Sequence, residues 1–213
     1  MKINCSILDI SISNKQNILE ACNFVGLDCK FIKSSDEINN SDILIFPGNG
    51  NFHEAMNIVS TLGIEKSIKN FINLGKPFLG ICLGMQVLFS SSNEGGKMSN
   101  GLGILDGEVS QINSEDKNLQ IPLVGWLPFN KNKKIIEDKN FLSNFKDNTP
   151  MYFNNSCVVN SINEKYNRYY TNYNGLTFCS AISYKNIIAT QFHPELSSKN
   201  GLRIYEFLKN KIK

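Results

Sequence analysis

The first ninety residues alternate between short apolar runs and stretches with the apolar spacing of a helix, and this limits the possible folds more than any other feature. Residues 2–9, residues 42–46 and the run "KPFLGI" (76–81) are each closed by turn residues, as buried strands are. The apolar spacing predicts four helices, over 15–26, 52–60, 64–74 and 84–91. Alternating strands and helices predict a parallel sheet that is covered by helices on both faces.

The second half of the chain has a different pattern, in which a loop rich in Gly, Ser and Asn (91–107) precedes strands separated by turns. Strands are predicted over 107–112, 121–129, 150–159, 177–184 and 186–195, with a hairpin corner at "SYKNII" (183–188). A final amphipathic helix should turn its apolar side toward the core, with Leu202, Ile204, Tyr205, Phe207 and Leu208. We therefore predict an α/β protein with a mostly parallel central sheet flanked by helices and an additional antiparallel β segment in the C-terminal half. One domain should span residues 1–213.

The composition of the 213-residue chain is that of an ordinary globular protein, with 41% hydrophobic and 19% charged residues. The net charge of +3 is spread along the chain without a basic tract, so nucleic acid is not an expected partner. No apolar run approaches the roughly 20 residues of a membrane span. The N-terminus lacks the apolar core and the cleavage site of a signal peptide, so we expect a cytoplasmic location.

Six cysteines and two histidines are the candidate ligands for a soft metal. The gaps between the cysteines are irregular and no C-x-x-C pair occurs, so the spacing typical of zinc sites is absent. We expect no metal and no other cofactor. In a reducing compartment most of these thiols should be small buried hydrophobic groups.

Cys82 lies between Gly80 and Gly84, after a predicted strand and before a predicted helix. The arrangement is the thiol version of the strand-to-helix elbow that holds a serine nucleophile in many hydrolases. Such an elbow is crowded, so its neighbours must lack side chains. The N-terminus of the following helix should favour a thiolate, and the N–H of Leu83 should point toward an oxyanion. The alternative is a buried cysteine at a tight turn.

The stretch "TQFHPELS" (190–197) supplies the other groups that a thiol nucleophile needs, a base and a group that orients the base. Residues two apart in an extended segment point to the same side, and Pro194 favours extended geometry at His193. We therefore predict His193 as the base and Glu195 as its orienting carboxylate. His53 is the rival base. The non-catalytic alternative is a histidine that ends a buried strand beside a solvated Glu195.

Cys82 in "GICLGMQ" together with "FHPE" (192–195) resembles the class I, or triad, glutamine amidotransferases. The segments "PGNGNFHEAM", "GLGILDGEV", "GWLPF" and "YFNNS" extend the resemblance over nearly the whole chain. The resemblance implies the fold of that family. It also implies that Cys82 attacks the glutamine carboxamide, His193 relays the proton and Glu195 orients His193.

The same resemblance assigns roles to residues around the triad. Gly48, Asn49 and Gly50 match the family's oxyanion strand, where a peptide must turn its N–H toward the site. Four further residues match substrate-binding positions: Gln86, Glu94, Asn155 and Ser156. Trp126 matches an aromatic residue at the interface with a partner subunit, and its "GWLP" setting suggests a surface turn.

The function implied by the resemblance is hydrolysis of L-glutamine to glutamate and ammonia. The ammonia would be channelled to a HisF-like (βα)8-barrel synthase subunit, which forms imidazole glycerol phosphate and AICAR in histidine biosynthesis. Three segments depart from the family pattern: residues 9–14 ("DISISN"), residues 155–157 ("NSC") and Leu196. These departures leave open an alternative acceptor, a sugar-modifying amidotransferase in surface-polysaccharide or flagellin glycan synthesis. A non-catalytic scaffold and a γ-glutamyl peptidase are further alternatives.

Overall fold

The computed structural model describes residues 3–10, 15–112, 119–131, 141–160, 162–163 and 165–211. One half of its central sheet is parallel, with the strand order β2-β1-β3-β4. These strands are β1 (Cys5–Leu8), β2 (Cys29–Ile32), β3 (Ile43–Phe46) and β4 (Phe78–Ile81). The connections between them contain α1 (Lys15–Phe24), α2 (Ser35–Asn39), α3 (Phe52–Thr61) and α4 (Glu65–Asn73).

The other half of the central sheet is antiparallel and begins at β13 (Ile187–Thr190), which still pairs in parallel with β4. Beyond β13 the sheet continues through β12 (Leu176–Tyr184), β11 (Asn167–Tyr173), β8 (Leu123–Lys131) and β9 (Thr149–Asn155). The predicted fold class is thereby confirmed, because a parallel sheet with flanking helices is joined to an antiparallel segment from the C-terminal half.

A smaller sheet has the strand order β10-β7-β5-β6. Its strands are β5 (Ser91–Ser92), β6 (Ser99–Asn100), β7 (Glu108–Gln111) and β10 (Cys157–Asn160). Two further helices complete the described chain: α5 (Leu83–Gln86) and α6 (Ser198–Asn210). The buried residues of α6 include Ile204, Tyr205 and Leu208, while Leu202 and Phe207 are half-buried, so the predicted core side of this helix is confirmed.

The hydrophobic core lies on the two faces of the central sheet. Successive residues of a strand point to opposite faces. Ile43 and Ile45 of β3 accordingly pack in the cluster that contains residues of α1 and α6. Leu44 and Phe46 pack in the cluster that contains residues of α3 and α4. Because both faces are covered there, β3 and β4 are apolar along their whole length, which is why the sequence reveals them.

Five of the described strands and helices were not predicted: β2, α2, β5, β6 and β11. The predicted loop over 91–107 contains β5 and β6, which have two residues each. Strand β2 lies at the sheet edge and exposes Lys30 and Phe31, so it lacks a continuous apolar run. Helix α2 has only five residues. The sequence does contain a signal for its N-terminus, the capping box formed by Ser34 and Glu37. Strand β11 has a polar and aromatic sequence, "NRYYTNY". Each of these elements is too short or too polar to show clear periodicity.

The predicted strand over 150–159 is two strands, β9 and β10, which belong to different sheets. The break falls at Ser156, and it places Asn155 and Ser156 at the edge where the parallel strands end. The predicted hairpin corner is confirmed, because Tyr184 pairs with Ile187 across the antiparallel strands β12 and β13.

Two expectations concern residues outside the described ranges. The predicted start of the first strand includes Lys2, and the departure at residues 9–14 includes residues 11–14. Within the described ranges, none of the helices combines the length and apolarity needed to cross a bilayer.

Candidate active site

The candidate catalytic residues lie where three neighbouring parallel strands end. Thr190, the last residue of β13, pairs with Ile81, the last residue of β4. Cys82 and Gln191 therefore both follow the ends of their strands at the same edge of the sheet. The loop after β3 begins at this edge too, because β3 pairs in parallel with β4. Ligand sites of open parallel sheets form at such carboxyl edges.

The backbone of Cys82 is strained in the way that the elbow pattern predicts. Its φ of 51° and ψ of −105° lie in a region that residues with side chains rarely adopt. A Cβ on Gly80 would come within 2.6 Å of the carbonyl oxygen of Gly84. A Cβ on Gly84 would overlap the carbonyl oxygen of Phe46. The glycines are therefore required by the close approach of three backbone segments around the elbow.

The helix after Cys82 is much shorter than predicted. The sequence predicts a helix over 84–91, whereas α5 spans Leu83–Gln86, a single turn. Its backbone then closes into tight turns that place Ser91 in β5. A single helical turn has only a small dipole, so the predicted effect of a helix dipole on Cys82 has no physical basis here. The first N–H groups of α5, including that of Leu83, still lack intrahelical partners.

The Cys82 sulfur is held by groups from two other strands. It lies 3.8 Å from the carbonyl oxygen of Asn154 at the end of β9, and it accepts a hydrogen bond of 3.4 Å from Nε2 of Gln191. The Cys82 N–H donates to the carbonyl oxygen of Thr190 at 2.7 Å. Cys82 as a whole residue is 6% exposed, so its thiol lies at the bottom of a cleft.

His193 and Glu195 form a buried pair beside Cys82. Nδ1 of His193 lies 2.8 Å from Oε1 of Glu195. His193 is extended, with φ −97° and ψ 98°, but Pro194 begins a single 3-10 turn over residues 194–196. This turn brings the carboxylate back to the imidazole, so the pair depends on a turn and not on the continuous extended strand that we predicted. Strand β13 accordingly ends at Thr190.

Three influences act on the pKa of His193, of which one lowers it and two raise it. Burial lowers it, but interactions with Cys82 and with the Glu195 carboxylate together outweigh burial and raise the pKa from 6.5 to about 10. Within the described part of the chain, Nε2 of His193 has no hydrogen-bond partner in the folded geometry. With Nδ1 fixed by Glu195, Nε2 is the ring atom left for proton transfer with the thiol or its substrate.

A cavity of about 240 Å³ opens over the elbow. Its lining includes all four residues predicted to bind substrate, namely Gln86, Glu94, Asn155 and Ser156, together with Asn49, Gly50, Cys82 and Leu83. Oδ1 of Asn155 is buried there and has no hydrogen-bond partner among the described residues. Unpaired buried acceptors are costly, so such an atom is typical of a site that awaits a ligand.

Glu94 is half-buried at the rim of the cavity, where its Oε2 accepts a hydrogen bond of 2.7 Å from the N–H of Phe52. It also lies close to the thiol of Cys157. Burial, followed by the charges of Glu94 and Cys82, raises the pKa of Cys157 to about 12. Cys157 is therefore a neutral thiol at neutral pH, and Cys82 is the candidate nucleophile of the cavity.

Gln191 is a site residue that the sequence analysis did not single out. Its Oε1 accepts a hydrogen bond of 3.0 Å from Gln86, and its Nε2 donates to Cys82. Gln86 also donates to the carbonyl oxygen of Cys157 at 3.2 Å. The amide nitrogen of Gln86 is thus engaged with protein groups, which suits a role in fixing Gln191 beneath the cavity.

The predicted oxyanion loop lies against the elbow that carries Cys82. A Cβ on Gly48 would overlap the side chain of Leu83, so this position must be glycine for the loop to approach the elbow. Gly50 has a φ of +124°, which only glycine adopts readily. Asn49 lies between these two glycines and lines the cavity. The donor role of this loop and of Leu83 remains a prediction.

The rival base, His53, lies on α3 and is engaged elsewhere. Its Nδ1 lies 3.1 Å from Oγ of Ser99, and its Nε2 lies 2.8 Å from Nζ of Lys97. Cys82 and Glu195 both act on His193, whereas the hydrogen bonds of His53 are to Ser99, Asn57 and Lys97. The geometry therefore favours His193 over His53 as the base, as the sequence suggested.

Trp126 lies within β8 and not at the surface turn that its neighbours suggested. It is 52% exposed, and Val124 on the same side of the strand is 60% exposed. The Trp126 ring packs edge-on against Tyr152, at 6.0 Å between centroids. The carbonyl oxygen of Tyr152 accepts a hydrogen bond from the N–H of His193. The exposed apolar patch is thus one residue removed from the candidate base.

A second group of ionisable side chains lies in the core. Cys5 pairs with Cys29 across the parallel strands β1 and β2, and Cys22 of α1 lies over them. The three sulfurs lie within 4.8 Å of one another. Cys22 and Cys5 both donate hydrogen bonds to Cys29, and these bonds lower the pKa of Cys29 to about 5. Donating hydrogen bonds within the cluster raises the pKa of Cys22 and of Cys5. The spacing of these cysteines along the sequence could not predict that they form a cluster.

The comparisons with known proteins agree with this geometry. A sequence model of the family "Glutamine amidotransferase class-I" matches residues 6–211. The chain belongs to this family, and the predicted family is confirmed.

Among individual relatives, the chain is 39% identical over 207 residues to imidazole glycerol phosphate synthase subunit HisH of Caldanaerobacter subterraneus subsp. tengcongensis, covering 97% of this chain and 98% of that protein. It is 34% identical to imidazole glycerol phosphate synthase hisHF, chloroplastic, of Arabidopsis thaliana, covering 93% of this chain but 33% of that protein. Among solved structures, PurLQS from Thermotoga maritima matches with a TM-score of 0.75 over the full length of both chains at 17% identity, a likeness that concerns the fold alone.

Proposed function

We propose that this chain hydrolyses the side-chain amide of L-glutamine and delivers the ammonia to a HisF-like (βα)8-barrel subunit. The barrel would use it to form imidazole glycerol phosphate and AICAR in histidine biosynthesis. One observation carries the chemical part of the proposal: Glu195 holds Nδ1 of His193 while the unpaired Nε2 lies beside the strained thiol of Cys82. Nucleophile, base and orienting group are the parts of a covalent amide hydrolase.

The proposed reaction has two steps. The Cys82 thiolate attacks the amide carbon of glutamine, and imidazolium His193 gives its proton to the departing nitrogen, so that ammonia leaves and a γ-glutamyl thioester remains. Water then attacks the thioester while His193 accepts its proton, and glutamate leaves with Cys82 free again. Backbone N–H groups of Leu83 and of the loop 48–50 would stabilise the oxyanion, and each such donor contributes about 3–4 kcal/mol in a comparable site.

The cavity suits the amino-acid end of the substrate as well as its amide. Glu94 at the rim supplies a carboxylate for the substrate ammonium, and the unpaired Oδ1 of Asn155 is a second acceptor. Ser156 adds a hydroxyl at the same rim. These groups select a substrate with a charged amine, which is a property of glutamine and not of simple amides.

The partner part of the proposal is supported by the relatives' names and by an exposed patch. The compared relatives are named as subunits or as a longer form of imidazole glycerol phosphate synthase, and in the plant protein two thirds of the length lies outside the match. Val124 and Trp126 are an exposed apolar pair close to the site, as a docking surface for a partner requires. The sugar-modifying acceptor is not favoured, because these relatives carry the synthase name.

We place this reaction in the cytoplasm. All six cysteines are unpaired and buried, as in proteins of a reducing compartment.

The test of the proposed function is glutamate release from L-glutamine, measured with the chain alone and with a HisF-like barrel that holds its acceptor. The proposal expects glutamate release that rises with the barrel, together with imidazole glycerol phosphate. If glutamate does not form under either condition, the glutaminase proposal is wrong. If glutamate forms but the barrel neither stimulates it nor receives nitrogen, the histidine acceptor is wrong and the sugar-modifying alternative gains support.

The raised pKa of His193 gives an expected pH dependence. Because this pKa is about 10, the imidazolium that protonates the departing nitrogen persists above neutrality and is lost only as the pH passes that value. We therefore expect kcat for glutamate release at saturating glutamine to stay level through about pH 9 and to fall with an apparent pKa near 10. The measured quantity is kcat, because kcat/KM would also fall as free glutamine loses the proton of its ammonium group. An alkaline fall centred near pH 6.5 would show that His193 is not held as an imidazolium.

Replacement of Trp126 tests the proposed docking surface. Trp126→Ala removes an exposed aromatic of the size that dominates interfaces, so the affinity for the barrel should fall by about 30-fold or more, as for a hot spot of at least about 2 kcal/mol. Phe24→Ala is the matched control, since Phe24 is 77% exposed at the end of α1 and lies outside the cavity lining. Titration of the labelled barrel measures both affinities, and equal effects of the two changes would argue against this surface.

A further inference from the structure

Cys5, Cys22 and Cys29 form a cluster of three neighbouring thiols, and filling the core does not require three thiols at one place. Three residues from two strands and a helix direct their sulfurs to one point, within 4.8 Å of one another. Cys5 and Cys22 are fully buried, and Cys29 is 9% exposed. No carboxylate or imidazole contributes to the group, which is a sulfur-only donor set. Such donor sets select soft metals over magnesium, calcium or manganese.

A second observation points to a ligand at the same place. The hydroxyl of Tyr205 is buried and has no hydrogen-bond partner among the described residues. Tyr205 packs in the same hydrophobic core cluster as all three cysteines. Helix α1, which carries Cys22, packs against α6, which carries Tyr205. The core around the cluster thus contains a buried polar group whose partner the described residues do not supply.

The dimensions agree with an ion at the centre of the cluster. An ion that binds three sulfurs at about 2.3 Å sets them about 3.8–4.0 Å apart. Sulfurs at most 4.8 Å apart reach that spacing if each moves by no more than about 0.5 Å toward the common centre. Side-chain rotations of that size leave the backbone pairing of β1 with β2 intact. Access is available from the sheet edge, since β2 is an outermost strand and Cys29 keeps some exposure.

We infer that Cys5, Cys22 and Cys29 form a binding site for a thiophilic d10 cation, of which Zn²⁺ and Cu⁺ are the biological examples. The site lies near the catalytic residues, because α1, which carries Cys22, packs against the 3-10 turn that carries Glu195. It is independent of glutamine hydrolysis, so its test needs no turnover.

The experiment uses the full chain with Cys82→Ala, so that the active-site thiol cannot bind the probe. The reduced protein is titrated with Cd²⁺ under anaerobic conditions, and thiolate-to-metal charge-transfer absorption is recorded. We expect the absorption to saturate at one Cd²⁺ per chain. Adding Cys22→Ala should weaken binding by more than about 100-fold, the upper end of what loss of an outer-shell partner costs. Adding Cys179→Ala, a matched loss of a buried cysteine outside the cluster, should leave binding unchanged.

Two further arms keep the proposal open to refutation. If Cys22→Ala fails to fold by far-ultraviolet circular dichroism, Cys29→Ser at the sheet edge replaces it and should show the same loss. Metal-free protein is also preloaded with Zn²⁺ or with Cu⁺ before the Cd²⁺ titration, and an ion that binds the same three sulfurs should raise the apparent dissociation constant for Cd²⁺. Absence of the charge-transfer band, equal affinity with and without the cluster cysteine, or a Cd²⁺ titration unchanged by both preloaded ions would overturn the inference.

Discussion

Cys82→Ala should reduce glutamine-dependent product formation by the assembled synthase by about 10⁴-fold or more, while activity with added ammonium salt persists. The size of the loss follows from removal of a nucleophile, which costs about as much as removal of a whole triad. Ammonium salt bypasses the thiol, because it provides the nucleophilic nitrogen that the hydrolysis of glutamine otherwise supplies. Both activities are measured on the same complex by product formation.

A control separates chemistry from folding at this position. Cys179 is a fully buried thiol on β12 that lies outside the cavity lining, so Cys179→Ala should keep the glutamine-dependent rate. The strained backbone at Cys82 belongs to the elbow and not to the sulfur, so alanine should occupy it at little extra cost. Loss of both activities in Cys82→Ala would mean that Cys82 serves the fold, and an unchanged glutamine-dependent rate would place the nucleophile elsewhere.

His193→Asn should abolish glutamine-dependent activity to a similar extent. The imidazole supplies the proton for the departing nitrogen and then accepts one from water, and asparagine can do neither. The complex should again keep its ammonium-dependent activity, since the change removes the imidazole and leaves the backbone hydrogen bond from His193 to Tyr152 in place. Retention of more than about one tenth of the glutamine-dependent rate would contradict the role of His193, given the cost of losing a catalytic base.

Glu195→Gln provides the graded comparison for His193→Asn. The carboxylate orients the imidazole through one hydrogen bond of 2.8 Å and contributes to the raised pKa of His193. An orienting group usually contributes less than the base it holds, so this change should be at least about tenfold milder than His193→Asn. It should also move the alkaline fall in rate to lower pH. An effect as large as that of His193→Asn, with no shift in the pH profile, would point to a structural role.

The parts of the site that could be predicted from the sequence carry their own local signals. Cys82 is marked by flanking glycines that only a crowded elbow needs, and His193 and Glu195 are joined through Pro194. These signals do not depend on where the rest of the chain lies. The prediction of the Cys82 helix failed because the apolar residues after Gln86 are buried in tight turns, which resemble a helix in their hydrophobicity.

The residues that were missed depend on the pairing of distant strands. Gln191 reaches Cys82 because Thr190 pairs with Ile81, and nothing in its own neighbourhood marks a glutamine for that task. Cys5 and Cys29 meet because β1 and β2 pair in a particular register. The extent of one domain over residues 1–213 likewise remains a prediction from length and pattern.

The most direct measurement of the central claim is labelling of the intact chain by a glutamine-analogue diazo-ketone, followed by mass spectrometry of its peptides. Amide hydrolysis by a Cys82 thiolate predicts one added label per chain, on the Cys82 peptide alone, with protection by L-glutamine. Label spread evenly over the six cysteines, or no label at all, would contradict the account and favour a non-catalytic scaffold.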